Sequence, residues 1–127
     1  MFACFREFTD LQLWKENRTL INQVWDLVKQ FPPEEKFRLS DQLIRSSRSI
    51  NASLSEGHGR YTFRDQLHFC IISRGSLSET LNHLVDAYDC NYISADKLSE
   101  LKQRIDISGK LLNSYIGYLR KQIKSSK

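Results

Sequence analysis

The sequence predicts an all-α fold, an up-down-up-down antiparallel four-helix bundle. Three observations carry that prediction. Apolar residues recur at spacings of three and four through four long stretches. Five glycines and two prolines leave few places to break an element. The connections between stretches are short, which sets consecutive helices antiparallel. At 127 residues the chain has the size of a single domain, 1–127, with one core. Its hydrophobic content of 40% and charged content of 27% are those of a globular protein.

The first helix is expected over about 10–31, behind Thr9 or Asp10 as N-cap. Leu13, Leu20 and Leu27 repeat every seventh residue, with Trp14, Ile21 and Val28 beside them and Asn17 interrupting the stripe. Pro32-Pro33 ends this helix, because a residue preceding proline is pushed out of the α region. The same prolines with Glu34 and Glu35 make a suitable first turn for a second helix over 33–56. Its face is Phe37, Ser40, Leu43, Ile44, Ser47, Ile50 and Leu54, and its second half is rich in serine.

Gly57 and Gly59 supply the stop, either one able to take a left-handed C-cap. Thr62 with Asp65 forms a capping pair for a third helix over 62–89, whose stripe is Phe63, Leu67, Cys70, Leu77, Leu81, Leu84 and Tyr88. Gly75 and Ser76 fall in mid-helix, where close approach to the serine-rich second helix is the simplest reason for them. A turn at Asp89–Tyr92 leads to Ser94 as cap of a fourth helix over 95–124. Leu98, Leu101, Ile105, Leu112, Tyr115 and Leu119 form its main stripe, with Ile107, Leu111, Ile116, Tyr118 and Ile123 outside it. An apolar arc this wide calls for a central position or a partner chain.

The stretch from Arg45-Ser46-Ser47-Arg48-Ser49-Ile50 through Glu56-Gly57-His58-Gly59-Arg60 resembles the 23S rRNA-intervening-sequence proteins. Phe5-Arg6-Glu7, Leu13-Trp14, Phe31 to Glu35 and Gly75 to Glu79 extend the resemblance along the chain. One departure is Ser53 where the family usually has asparagine, with Asn51 two residues earlier. The resemblance implies a bundle that assembles as a homopentamer, and kinship with the basic, nucleic-acid-binding accessory proteins of diversity-generating retroelements. It implies no agreed biochemical function.

The net charge of +4 permits nucleic-acid binding without requiring it. After Asp106 no acid occurs, while Lys110, Arg120, Lys121, Lys124 and Lys127 do. Arg120, Lys121 and Lys124 are the first candidates for phosphate contacts; the plainer account is that they complement the helix dipole. Arg45 and Arg48 form a second candidate patch, with Arg60 and Arg64 flanking Tyr61, which offers a ring for base stacking. Pairing with Asp41, Glu56 or Asp65 is the alternative there. Gly57 and Gly59 read as a helix stop rather than a phosphate loop, since no strand precedes them.

Catalysis has no visible carrier. His58, His68 and His83 lack metal-ligand spacing, and Cys70 lies on a core stripe. Helical-bundle ribonucleases use an arginine and a histidine with four to six residues between them, and Arg64 with His68 has only three. Cys4, Cys70 and Cys90 form no CxxC pair. The expectation is a cytoplasmic, non-enzymatic homo-oligomer without metal or cofactor, with no small-molecule substrate evident and no membrane span. It contacts RNA or DNA through basic patches, or else acts as a scaffold for protein partners, with an RNA-processing enzyme a distant third reading.

Overall fold

A computed structural model describes residues 7–126. Cys4, Phe5, Arg6 and Lys127 lie outside the described residues. A 3-10 turn at Phe8–Asp10 precedes α1 (Gln12–Val28) and a second one at Pro33–Glu35 precedes α2 (Leu39–His58); α3 (Phe63–Asp89) and α4 (Ala95–Ser125) follow. The helices contact one another around a square, α1 to α2 to α3 to α4 and back to α1. Paired residues run in opposite order along each side. Trp14 meets Asn51 while Trp25 meets Arg48; Thr80 meets Ser46 while Ser73 meets Ile50. Arg74 reaches Asn113, and Leu77 lies against Gly109.

The core is divided. Leu20, Val24, Leu43, Leu84 and Leu101 belong to one apolar cluster, and Leu13, Leu54, Cys70, Leu112, Ile116 and Leu119 form the other. Each helix places one polar residue between them: Asn17, Asn51, Ser73 and Ser108, each 9% exposed or less. Asn17 Nδ2 donates to Asn51 Oδ1 at 3.0 Å, and Asn51 Nδ2 donates to the Trp14 carbonyl at 3.1 Å. The Ser73 hydroxyl donates to the Ile50 carbonyl at 2.7 Å. Asn17 Oδ1 and Ser108 Oγ have no hydrogen-bond partner among the described residues.

Between α2 and α3 the polar contacts continue as a seam of hydroxyls. Ser76 Oγ lies 2.9 Å from Ser49 Oγ, and Thr80 Oγ1 lies 3.0 Å from Ser46 Oγ. Small side chains let the two backbones approach, and at Gly57 the approach leaves no room for a side chain. A Cβ there would sit 2.8 Å from Phe69 Cβ and 3.3 Å from the Gln66 carbonyl oxygen.

Several expectations need correction. The first helix is shorter than 10–31: neither Thr9 nor Asp10 caps it, and Thr9 donates its hydroxyl to Glu7 instead. The second helix does not start at Pro33. Arg38 leaves the helical region (φ −122°, ψ −109°), so the proline turn stands apart and the helix begins at Leu39. Phe37 therefore falls off the buried face and is 83% exposed. Neither Gly57 nor Gly59 takes a left-handed cap: Gly57 lies within α2, and Gly59 (φ −80°) closes the helix with bonds from its N–H to Ser55 and Glu56. The left-handed residue is Asn91 (φ 64°), in the turn before α4. Gly75 faces open space, so it makes no close approach to α2; Ser76 beside it does. Ile116 is 1% exposed and belongs to the core, because α4 packs against both α1 and α3. Thr62 does cap α3, accepting from the Asp65 N–H at 3.1 Å, and Ser94 caps α4 in the same way through Lys97.

These contacts separate the glycines. Gly57→Ala should lower the urea midpoint, an overpacking loss of about 1–3 kcal/mol. Gly75→Ala should raise it, by up to about 1 kcal/mol of helix propensity. Ser108→Ala removes a buried hydroxyl that makes no bond among the described residues, so equilibrium unfolding should show equal or greater stability.

Candidate nucleic-acid interface

The turn from α2 to α3 crosses one end of the bundle and meets the last turns of α4. His58, Arg60, Tyr61, Phe63, Tyr115 and Tyr118 line a cleft of about 750 Å³ there. A smaller hollow of about 270 Å³ adjoins it, where Tyr61 and Arg64 meet Ile123 and Ser126. Tyr61 is 100% exposed and Tyr118 50%. The Tyr118 ring stacks on Tyr115, with centroids 6.1 Å apart and planes 10° from parallel. Burial pushes the Tyr115 phenol up to about 12, so the inner ring of the stack is neutral. Behind His58, the Phe8 ring stands edge-on to both His58 and Trp14.

The cations around this cleft differ in what they already hold. Arg60 is engaged: its guanidinium lies 2.8 Å from the Glu56 carboxylate and 4.8 Å from the Phe69 ring centroid. Arg64, Arg120, Lys121 and Lys124 are exposed, and none of them forms an ion pair among the described residues. Helical spacing keeps the predicted trio together. Lys124 lies four residues from Arg120 and three from Lys121, and Lys121 in turn follows Tyr118 by three.

Arg45 and Arg48 lie elsewhere, exposed on the middle of α2. Arg48 stands 5.2 Å from the Trp25 ring centroid. The structure thus brings Tyr61 and Arg64 to the basic end of α4 and leaves Arg45 and Arg48 as a separate patch. Of the residues expected to be structural, Gly57 and Ser76 sit in the α2–α3 contact, Gly59 ends α2, and Gly75 faces outward. Sequence reasoning missed the Tyr115–Tyr118 stack. Its one local signal is a pair of tyrosines three apart on a helix, with Tyr118 lying outside the main stripe.

Cys70 is 1% exposed, and burial pushes its thiol up to about 11, which keeps it protonated and unreactive at neutral pH. His83 is buried with Nε2 3.1 Å from Glu79 Oε2. Among the described residues no three His, Cys, Asp or Glu side chains gather where they could hold a metal ion. Nor is any helix among them long and apolar enough to cross a membrane.

No curated protein matches the sequence. A crystal structure of a protein with unknown function, from the S23 ribosomal protein family of Bacteroides thetaiotaomicron VPI-5482, superposes with a TM-score of 0.76. The two are 24% identical over 83% of this chain and 95% of that one, a likeness that shows the fold. The family model for 23S rRNA-intervening sequence protein matches residues 9–114, a span that includes α1, α2, α3 and most of α4. The chain belongs to the 23S rRNA-intervening sequence protein family.

Proposed function

We propose that this protein binds RNA or DNA without sequence preference, gripping single strands at the end of the bundle where α4 meets the α2–α3 turn. The observation that carries the reading is a fully exposed tyrosine, Tyr61, beside exposed cations. An exposed aromatic ring offers a face to any base, and neighbouring cations neutralise the phosphates that follow it. Arg64 directly follows Phe63 and Lys121 lies one helical turn from Tyr118, with Arg120 and Lys124 extending the positive surface around α4. Arg45 and Arg48 supply a second phosphate patch on α2. The family assignment leaves function open, and the reading rests on this chemistry alone.

Self-association belongs to the same proposal. Ile71, Ile72, Val85 and Tyr88 on α3 and Ile107 on α4 are each between 38% and 46% exposed, an apolar surface that a second copy would cover. A ring of five, the number the family resemblance implies, would repeat the cleft five times and convert weak contacts into avidity.

Two sets of variants test the reading by fluorescence anisotropy on labelled oligonucleotides. The triple variant Arg120→Gln, Lys121→Gln, Lys124→Gln should keep the helical signal and lower affinity for all sequences alike. Its slope of log affinity against log salt should flatten by about 2, at roughly 0.7 per phosphate contact on a single strand. Tyr61→Ala with Tyr118→Ala should instead weaken single-strand binding by about 1–3 kcal/mol per stacked base and leave the salt slope unchanged. A parent protein that binds no oligonucleotide at low salt would remove the proposal. Sedimentation showing a monomer at micromolar concentration would remove the ring.

A further inference from the structure

At the far end of the bundle, the segment joining α1 to α2 leaves a groove of about 500 Å³. Its floor is Val28, Phe31 and Ile44, and Trp25, Pro33 and Phe37 stand along its rim. Trp25 is 43% exposed and Phe37 83%. Exposure of two large aromatics beside an aliphatic floor is costly in water and needs a reason. Part of that reason is the break at Arg38: it separates the proline turn from α2 and swings Phe37 away from the core.

The charges at the groove all have one sign. Only Lys29 and Lys36 among its lining residues are ionised, and no acid lines it. The Lys29 ammonium stands 5.2 Å from the Trp25 centroid, Arg48 stands 5.2 Å from the same ring, and Lys36 stands 5.3 Å from that of Phe37. Cations at this distance from a ring centroid attract the ring's face. They also stand over the ring faces that a stacking nucleobase would need, and the apolar side chains of the floor offer a base no hydrogen bond. The Lys29–Asp26 contact is 3.4 Å long between exposed groups, so an incoming carboxylate can exchange for it.

We propose that this groove docks an acidic peptide segment of a partner protein, seating a large apolar side chain between Trp25 and Phe37 and pairing its flanking carboxylates with Lys29 and Lys36. An apolar floor with a uniformly basic rim is complementary to an apolar anchor set among Asp and Glu. The site is distinct from the aromatic cleft at the other end of the bundle, and it stands whether or not that cleft binds nucleic acid.

The test is selection of a random dodecapeptide display library on the immobilised full-length protein, followed by titration of the enriched peptides. Enriched sequences should carry one or more Leu, Ile, Phe or Trp flanked by Asp or Glu. Affinity should fall at least tenfold for Lys29→Glu with Lys36→Glu and for Phe37→Ala, while Lys121→Gln with Lys124→Gln changes nothing. All the altered side chains are exposed, so an unchanged helical signal verifies the fold of each variant. Enriched peptides that bind the groove variants as tightly as the parent, or no enrichment at all, would overturn the proposal. So would dissociation of an oligomer on Phe37→Asp, which would assign the groove to a second copy. Competition by a thymidine dodecamer at the groove, lost in Phe37→Ala, would assign it to nucleic acid.

Discussion

Two buried asparagines, Asn17 on α1 and Asn51 on α2, meet side chain to side chain inside the bundle, and the register of these helices follows from that meeting. An amide inside an apolar core is tolerable only when it is hydrogen-bonded. Asn17 Nδ2 and both ends of the Asn51 amide satisfy that condition through each other and the Trp14 carbonyl, while Asn17 Oδ1 has no partner among the described residues. Sliding α1 along α2 by one turn would break both bonds and bury the amides against leucines. The apolar layers on either side carry no such information, since leucine packs against leucine in several registers. A buried asparagine fixing the register of packed helices is a well-attested use of a polar core residue.

The hydroxyl seam does the corresponding work between α2 and α3. Serine and threonine bond at close range to each other and to backbone carbonyls, so these two helices can approach where larger side chains would hold them apart. Gly57 marks a point too close for any side chain, just before α2 ends. That tight contact brings the start of α3 back against the bundle and carries Tyr61 and Arg64 to the last turns of α4. The aromatic cleft is thus a consequence of how the small residues pack. The opposite end is closed differently. Phe31 is buried beside Tyr92, whose hydroxyl donates to Glu35 at 2.7 Å, and the groove opens on the outer side of the same turn.

The four helices were legible because their apolar stripes are strictly local: each residue's neighbours three and four positions away disclose its face. The caps at Thr62 and Ser94 were legible for the same reason. The start of α2 was not. Pro32-Pro33-Glu34-Glu35 suits a helix N-terminus and a separate 3-10 turn equally, and nothing near Arg38 announces the break. Asn17 stood out only as an interruption. Its partner lies 34 residues away on another helix, a relation no local period contains. Ile116 looked surplus because a stripe drawn for one neighbour leaves out residues that face a second. Among the candidate site residues, exposure of Arg120, Lys121 and Lys124 followed from their spacing. The meeting of α4 with Tyr61 and Arg64 did not, since it depends on where the α2–α3 turn crosses.

The register argument can be put to a direct measurement, a double-mutant cycle on Asn17→Ala and Asn51→Ala read by equilibrium urea unfolding. Each single variant leaves a buried amide without its partner and should lose about 1–3 kcal/mol or more. The double variant removes both amides together. The account predicts a loss smaller than the sum of the singles, with a coupling of about 0.5–3 kcal/mol. Losses that simply add would show that the two asparagines act independently, and that the register of α1 on α2 is set by the apolar layers instead.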